Sequence, residues 1–314
     1  MRVLIVNTSE ITGGAAVAAN RLMDALNNNG VKAKMLVRDK TSDCITVVGL
    51  HGRIRQRLRF LWERWCIFCH LYFMRTHLFD IDIANSGNDI TQLPEFREAD
   101  IIHLSWVNQG MLSLASIRKI VKSGKAVVWT LHDAWPVTGI CHYTRSCQAF
   151  KRRCHNCPLL PGGGSANDLS SRLFDRKKKL YQNSEIHFVA CSKWLAGQAR
   201  QSALLAGLSV DSIPNPIDTR VFCPQDKREA RLHSMLPEDK RIILFVSQRV
   251  TQERKGMKFF IEAIERMVAE HPEVKANTVI AILGGKAEEV ASQLPLPCFP
   301  LGYISDERRI VSVY

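Results

Sequence analysis

RVLIVNTSEITGGAAVAANRLMDAL, residues 2–26, is the stretch that decides the fold. Val3, Leu4, Ile5 and Val6 make an unbroken apolar run, which is how a strand buried on both faces reads. The run gives way to Thr12-Gly13-Gly14, after which Ala15, Ala18, Leu22, Ala25 and Leu26 recur at helical spacing. Strand, glycine turn and helix in that order open a parallel α/β sheet. Working outward, Val31 to Val37, Ala99 to Leu104, Ala126 to Leu131 and Ile186 to Cys191 read as further strands, with helical patterns between them. Such alternation predicts a doubly wound sheet that keeps its ligands at the carboxyl ends of the strands.

A second series starts after the polar, proline-bounded stretch Cys223 to Lys240. Arg241 to Val246 reads as strand, Lys258 to Glu270 as helix and Thr278 to Leu283 as strand. The expected organisation is therefore two Rossmann-like α/β lobes, residues 1–218 and 219–314. About two strands in the second lobe are too few for an ordinary sheet, so the sequence reads as cut off after Tyr314. A length of 314 residues also exceeds what one hydrophobic core usually serves.

The balance of 43 Lys+Arg against 30 Asp+Glu, formally +13, favours phosphate-bearing ligands, acidic membranes or nucleic acid. The first residues carry no signal-peptide pattern and no apolar run reaches the length of a spanning helix, which points to the cytoplasm. Ten cysteines there read as thiols or metal ligands rather than disulfides.

Several short motifs carry candidate chemistry. Gly13 and Gly14 let backbone amides approach an anion at a helix N-terminus, or serve only as a tight turn. His132 and Asp133 fall just past a strand end, where a histidine can touch a substrate or be a satisfied structural residue. Arg249 and Lys255 flank one loop and can neutralise a diphosphate, or be solvated. Gly284-Gly285 and Gly302-Tyr303-Ile304 repeat the strand-then-glycine pattern. Cys141, Cys147, Cys154 and Cys157 lie in one loop, 141–157, and four thiolates there would close a structural zinc site; reduced free cysteines or disulfide pairs are the alternatives. Ile54, Leu58, Leu61, Trp62, Trp65, Phe68, Cys69 and Tyr72 form an apolar helical stripe among Arg53, Arg55, Arg57, Arg59 and Arg64. Helix 53–72 suits peripheral contact with an anionic membrane, although packing on its own sheet would produce the same stripe.

Taken together, these segments resemble the retaining GT-B glycosyltransferases of family four over nearly the whole chain. Ser212-Ile213-Pro214-Asn215-Pro216-Ile217-Asp218-Thr219-Arg220-Val221-Phe222 is close to that family's I-P-N-G-I-D-x-x-x-F signature, with Pro216 in place of the glycine. Phe245 to Arg249 with Arg254-Lys255-Gly256 is similar to its G-R-L…K-G donor segment. Thr12 to Ala15 looks like its first glycine loop. His132 to Tyr143 with the later cysteines resembles a branch associated with surface-polysaccharide synthesis.

The resemblance implies transfer of a sugar, with retention, from a UDP- or GDP-sugar to a hydroxyl of a polysaccharide or lipid-linked glycan precursor, with no essential divalent metal and no nucleic-acid partner. Arg249 and Lys255 would neutralise the leaving diphosphate, and His132 would position the sugar or acceptor. Gly13, Gly14, Gly284 and Gly285 would line the donor site, and the backbone at Tyr303-Ile304 would read the base. The family's E-x7-E segment would follow Tyr314, so this chain is expected to bind donor poorly. The rival readings are a sugar-nucleotide epimerase and a basic zinc module that binds nucleic acid.

Overall fold

The computed structural model describes residues 1–182 and 184–314. They divide into two compact units, Met1–Pro216 and Ile217–Tyr314. In the first, β1 (Arg2–Ser9), β2 (Lys32–Asp39), β3 (Val47–Gly49), β4 (Ile101–Leu104), β5 (Ala126–Leu131), β6 (Ile186–Ala190) and β7 (Val210–Ser212) form one sheet in the order β3-β2-β1-β4-β5-β6-β7. Every pairing is parallel. Successive residues of β1 point to opposite faces of the sheet. Val3 and Ile5 therefore meet Ala19 and Met23 of helix α1 (Gly14–Asn28), while Leu4 and Val6 join Ile102, Leu104 and Trp129 on the other side. The strand order runs outward from β1 in both directions, so the switch point of the sheet lies where β1 and β4 end.

Helix α2 (Arg53–His70) packs the other way round from an ordinary surface helix. Its buried side chains include Gln56, Glu63 and Arg64, whereas Leu58 and Trp65 stand 60% and 53% exposed. Hydrogen bonds hold the inward face. Gln56 and Asn88 exchange two amide bonds of 2.9 Å, and a Glu63 carboxylate oxygen accepts the amides of Ile83 and Ala84. Arg64 donates to the carbonyls of Leu78 and Ile81 and pairs with Asp82. The apolar stripe read from the sequence is thus left outside.

In the second unit β8 (Arg241–Arg249), β9 (Thr278–Gly285) and β10 (Cys298–Gly302) form a parallel sheet in the order β10-β9-β8. Ile280 and Ile282 of β9 pack on Met257, Ile264 and Val268 of helix Met257–Glu270. The third strand corrects the expectation of about two. β10 carries Pro300 at the sheet edge, where a missing N–H is tolerated, and its register shifts between Pro300 and Gly302.

Candidate functional site

The turn after β1 is held open. Glu10 is buried, and its carboxylate accepts the amides of Thr41 and Ser42 together with both their hydroxyls. Burial opposes its ionisation, but these donors outweigh it and keep the carboxyl below its usual value. Asn20 donates to the Glu10 carbonyl, and Thr12 N–H to Ser9 Oγ. Gly13 takes φ 91°, a conformation that favours glycine, and no side chain caps α1. No atom stands within 4 Å of where a Cβ would sit on Gly13 or Gly14. A 15-residue helix therefore presents its uncapped N-terminus at the switch point, where amides and macrodipole favour an anion.

Beside it, the ends of β1 and β4 are tied together. Asn7 Oδ1 accepts the Trp106 amide at 2.9 Å, and Thr8 donates to the Trp106 and Asn108 carbonyls. His132 follows β5, the strand next to β4. Among the described residues its ring nitrogens take no hydrogen bond. Desolvation lowers its pKa to about 4 against the pull of Asp133. His103, whose Nε2 lies 2.7 Å from Thr130 Oγ1, is brought down to about 4 by burial and then by His132. Both rings are neutral near pH 7, so His132 offers a lone pair and an N–H rather than a charge.

A pH dependence follows. The folded histidines reject protons that the unfolded chain accepts near pH 6.5, so stability falls as pH drops from about 6.5 towards 4. All six tryptophans precede residue 217, so their fluorescence reports unfolding of the first unit alone. The urea midpoint is expected to be lower at pH 5 than at pH 7, and an unchanged midpoint removes this assignment.

The sequence reading missed what lies behind His132. His142 bridges two carboxylates, with Nδ1 2.7 Å from Asp133 and Nε2 2.7 Å from Asp82. Asp82 continues to Arg64 of α2. Asp133 also accepts Trp106 Nε1 at 2.8 Å and the Trp135 amide at 2.9 Å. Burial works against its charge, yet His142 and these donors hold the carboxyl below its usual value. The chain Arg64–Asp82–His142–Asp133 fixes the turn that carries His132. Only the neighbouring letters His132-Asp133 signalled it in the sequence.

In the second unit the parallel strands bring three predicted positions to one edge. The register sets Arg249 opposite Gly285, and Gly302 opposite Leu283 just before Gly284. Tyr303 follows β10 and is exposed, with Ile304 half-buried beside it. A Cβ on Gly284 would stand 1.9 Å from the Ser247 carbonyl oxygen, so packing alone accounts for that glycine. Lys255 ends the turn Glu253–Lys255 and is exposed; Gly256, at φ 80°, then opens helix Met257–Glu270 without a side-chain cap. Partial desolvation and then Arg254 lower the Lys255 pKa. A cleft of about 500 Å³ beside this turn is lined by Gln252, Glu253 and Lys258 but by neither Arg249 nor Lys255.

The zinc site expected at Cys141, Cys147, Cys154 and Cys157 is not formed. Among the described residues no group of three or more His, Cys, Asp or Glu side chains is placed to hold a metal ion, and all four cysteines are free. Cys154 belongs to the main core and Cys157 to a second cluster with Ile67 and Leu173. Burial pushes the Cys154 thiol up to about 12 and Cys157 up to about 11, although Cys141 and Cys147 also stand near enough to raise both. Cys154 Sγ accepts the Gly139 amide at 3.2 Å. Lys177 holds the turn that precedes this loop: its buried Nζ donates to the Trp135 and Thr138 carbonyls and lies 3.4 Å from the Trp135 ring centroid.

No family model matches the chain. Over 92 residues it is 34% identical to a protein of Escherichia coli (strain K12) named provisionally as the colanic acid biosynthesis glycosyl transferase WcaC, covering 26% of this chain and 22% of that protein. Over 76 residues it is 33% identical to the D-inositol 3-phosphate glycosyltransferase of a Nocardioides species, covering 24% and 16%. The matches thus span about a fifth of the length of these curated relatives. Among solved structures, HepE of Anabaena in complex with UDP and glucose superposes with a TM-score of 0.55 at 14% identity, covering 100% of this chain and 71% of that one. With its two parallel-sheet units, the chain has the two-lobed α/β fold of the GT-B class.

Proposed function

We propose that the protein is a retaining glycosyltransferase resembling family four, moving a sugar from a nucleoside-diphosphate sugar, UDP- or GDP-linked, to an acceptor hydroxyl. The acceptor is a polysaccharide or lipid-linked glycan precursor, and the protein works in the cytoplasm at the inner face of the membrane. The observation that carries this reading is the uncapped, open N-terminus of α1 at the switch point, with neutral His132 at the same carboxyl edge of the sheet, just past β5. Local identity to two proteins named as glycosyltransferases, and the fold shared with a UDP-binding neighbour, support it.

Each group has a defined task. On the first unit the amides at Gly13 and Gly14 favour an anionic phosphate group of a ligand; on the second, Arg249 and Lys255 neutralise a leaving diphosphate. The backbone at Tyr303-Ile304 reads the nucleotide base. His132 accepts or donates one hydrogen bond to the sugar or acceptor, and its neutrality keeps it from competing for the diphosphate. No protein nucleophile is assigned: the departing phosphate takes the acceptor's proton on the face where the new bond forms.

Thermal shift against a set of UDP- and GDP-sugars, followed by product analysis by NMR, tests the reading. A stabilising donor and a product with the donor's anomeric configuration are expected; an inverted product removes retention, and no response to any donor removes sugar transfer. Gly14→Ala gives a sharper check. The added methyl enters open space on a helical residue, so stability changes by less than about 0.5 kcal/mol. It nevertheless blocks close approach to the helix amides, and donor KM rises roughly tenfold or more for a lost charge-assisted bond. An unaltered KM would place that phosphate group elsewhere.

A further inference from the structure

Helix α2 turns its polar face inward and leaves its apolar face uncovered. Ile54, Leu58, Leu61, Trp62 and Trp65, continued past the helix by Tyr72, Phe73 and Met74, are between 47% and 79% exposed. At 100° per residue the five helical side chains fall on one stripe. Arg53 and Arg57 border it on one side and Arg55 on the other, all exposed. Among the described residues no carboxylate pairs with these three arginines, and the helix's one acid, Glu63, is buried on the opposite face.

We infer that this face docks into the interfacial layer of an anionic lipid bilayer. Charge and apolarity decide the occupant together. A second copy of the chain would set arginine against arginine along the same stripe, and a nucleic acid would neutralise the arginines but gain little from Ile54, Leu58 and Leu61. A lipid interface satisfies both: the aliphatic side chains and indole rings enter the acyl boundary, and the arginines reach lipid phosphates at its edge. The buried hydrogen bonds of Gln56, Glu63 and Arg64 hold the helix with that face outward before any membrane is met. This surface deepens the membrane location proposed above by naming the face that docks, and it does not depend on sugar transfer.

Co-sedimentation with phosphatidylcholine vesicles, with and without phosphatidylglycerol, tests the inference on the whole protein. Binding is expected only with the anionic lipid, and salt should weaken it. Substituting Arg53, Arg55 and Arg57 together by glutamine should weaken binding about a hundredfold, roughly fivefold for each charge removed. Leu58→Glu with Trp65→Glu should abolish insertion. These side chains stand largely exposed, Trp65 meeting only the rings of Phe68 and Phe73 at the surface, so circular dichroism should stay as in the wild type. Equal binding to neutral vesicles, no binding at all, or a lipid-free dimer dissociated by Leu58→Glu overturns the inference. Sugar transfer to a water-soluble acceptor, followed in parallel, should be unaltered in both variants. A protein that binds vesicles but transfers no sugar therefore loses the enzymatic reading while keeping this surface.

Discussion

A Lys255→Ala variant is expected to turn over about 10²–10³-fold more slowly than the wild type, the usual loss when a preorganised charge on a leaving group is removed. The location of Lys255 argues for so large an effect. It ends the short turn Glu253–Lys255, and Gly256 in the left-handed region then starts helix Met257–Glu270 with no side-chain cap. A cation and a set of uncapped amides therefore act from the same place, and both favour an anion whose charge grows as the sugar leaves. A charge that matters most in the transition state lowers kcat and kcat/KM together, with a smaller change in KM. Lys255→Arg should recover part of the rate, whereas Lys255→Met should behave as alanine. If Lys255→Ala retains wild-type kcat, the diphosphate is not held at this turn. Arg249, opposite Gly285 at the end of β8, is expected to show the same pattern.

What could be read from the sequence was the part governed by local periodicity. Ala126 to Leu131 matches β5 residue for residue, and Thr278 to Leu283 falls inside β9, because buried parallel strands are short apolar runs bounded by polar turns. β3 and β7, of three residues each, leave no such run. The glycine turn at residues 13 and 14 was legible for the same local reason. The orientation of α2 was not. Its apolar stripe is evident from spacing, but the partners of Gln56, Glu63 and Arg64 lie 14 to 32 residues away, at Leu78, Asp82, Ala84 and Asn88. Periodicity locates a stripe without saying whether core or solvent receives it. The cysteine loop is a further case: spacing along the chain suggested four ligands, and the fold keeps these thiols near one another without setting three of them to hold a metal ion.

The second large effect concerns stability. His142→Ala is expected to cost about 3–5 kcal/mol at neutral pH, because it removes the partner that two buried carboxylates share. Asp82 and His142 are both buried, and Asp133 is half-buried by exposed area although its carboxylate is enclosed by Trp106, Trp135 and His142. Removing a ring of this size also leaves a cavity, so a second measurement must separate charge from volume. The sign of the pH dependence does so. In the wild type the Asp133 pKa is depressed, so its contribution is present above the unfolded carboxylate value and lost as pH falls through the folded one. Without His142, burial raises the Asp133 pKa, and the penalty of holding that carboxylate charged is relieved as pH falls towards it. The gap between variant and wild type, followed by tryptophan fluorescence in urea, should therefore narrow from pH 7 to pH 5. A gap that stays constant would mean the loss is only that of a packed ring. A cycle with Asp133→Asn should show coupling, since neutralising that carboxylate removes part of what His142 opposes. The same relay supports the turn bearing His132, so His142→Ala should lower kcat even under conditions where the variant is fully folded.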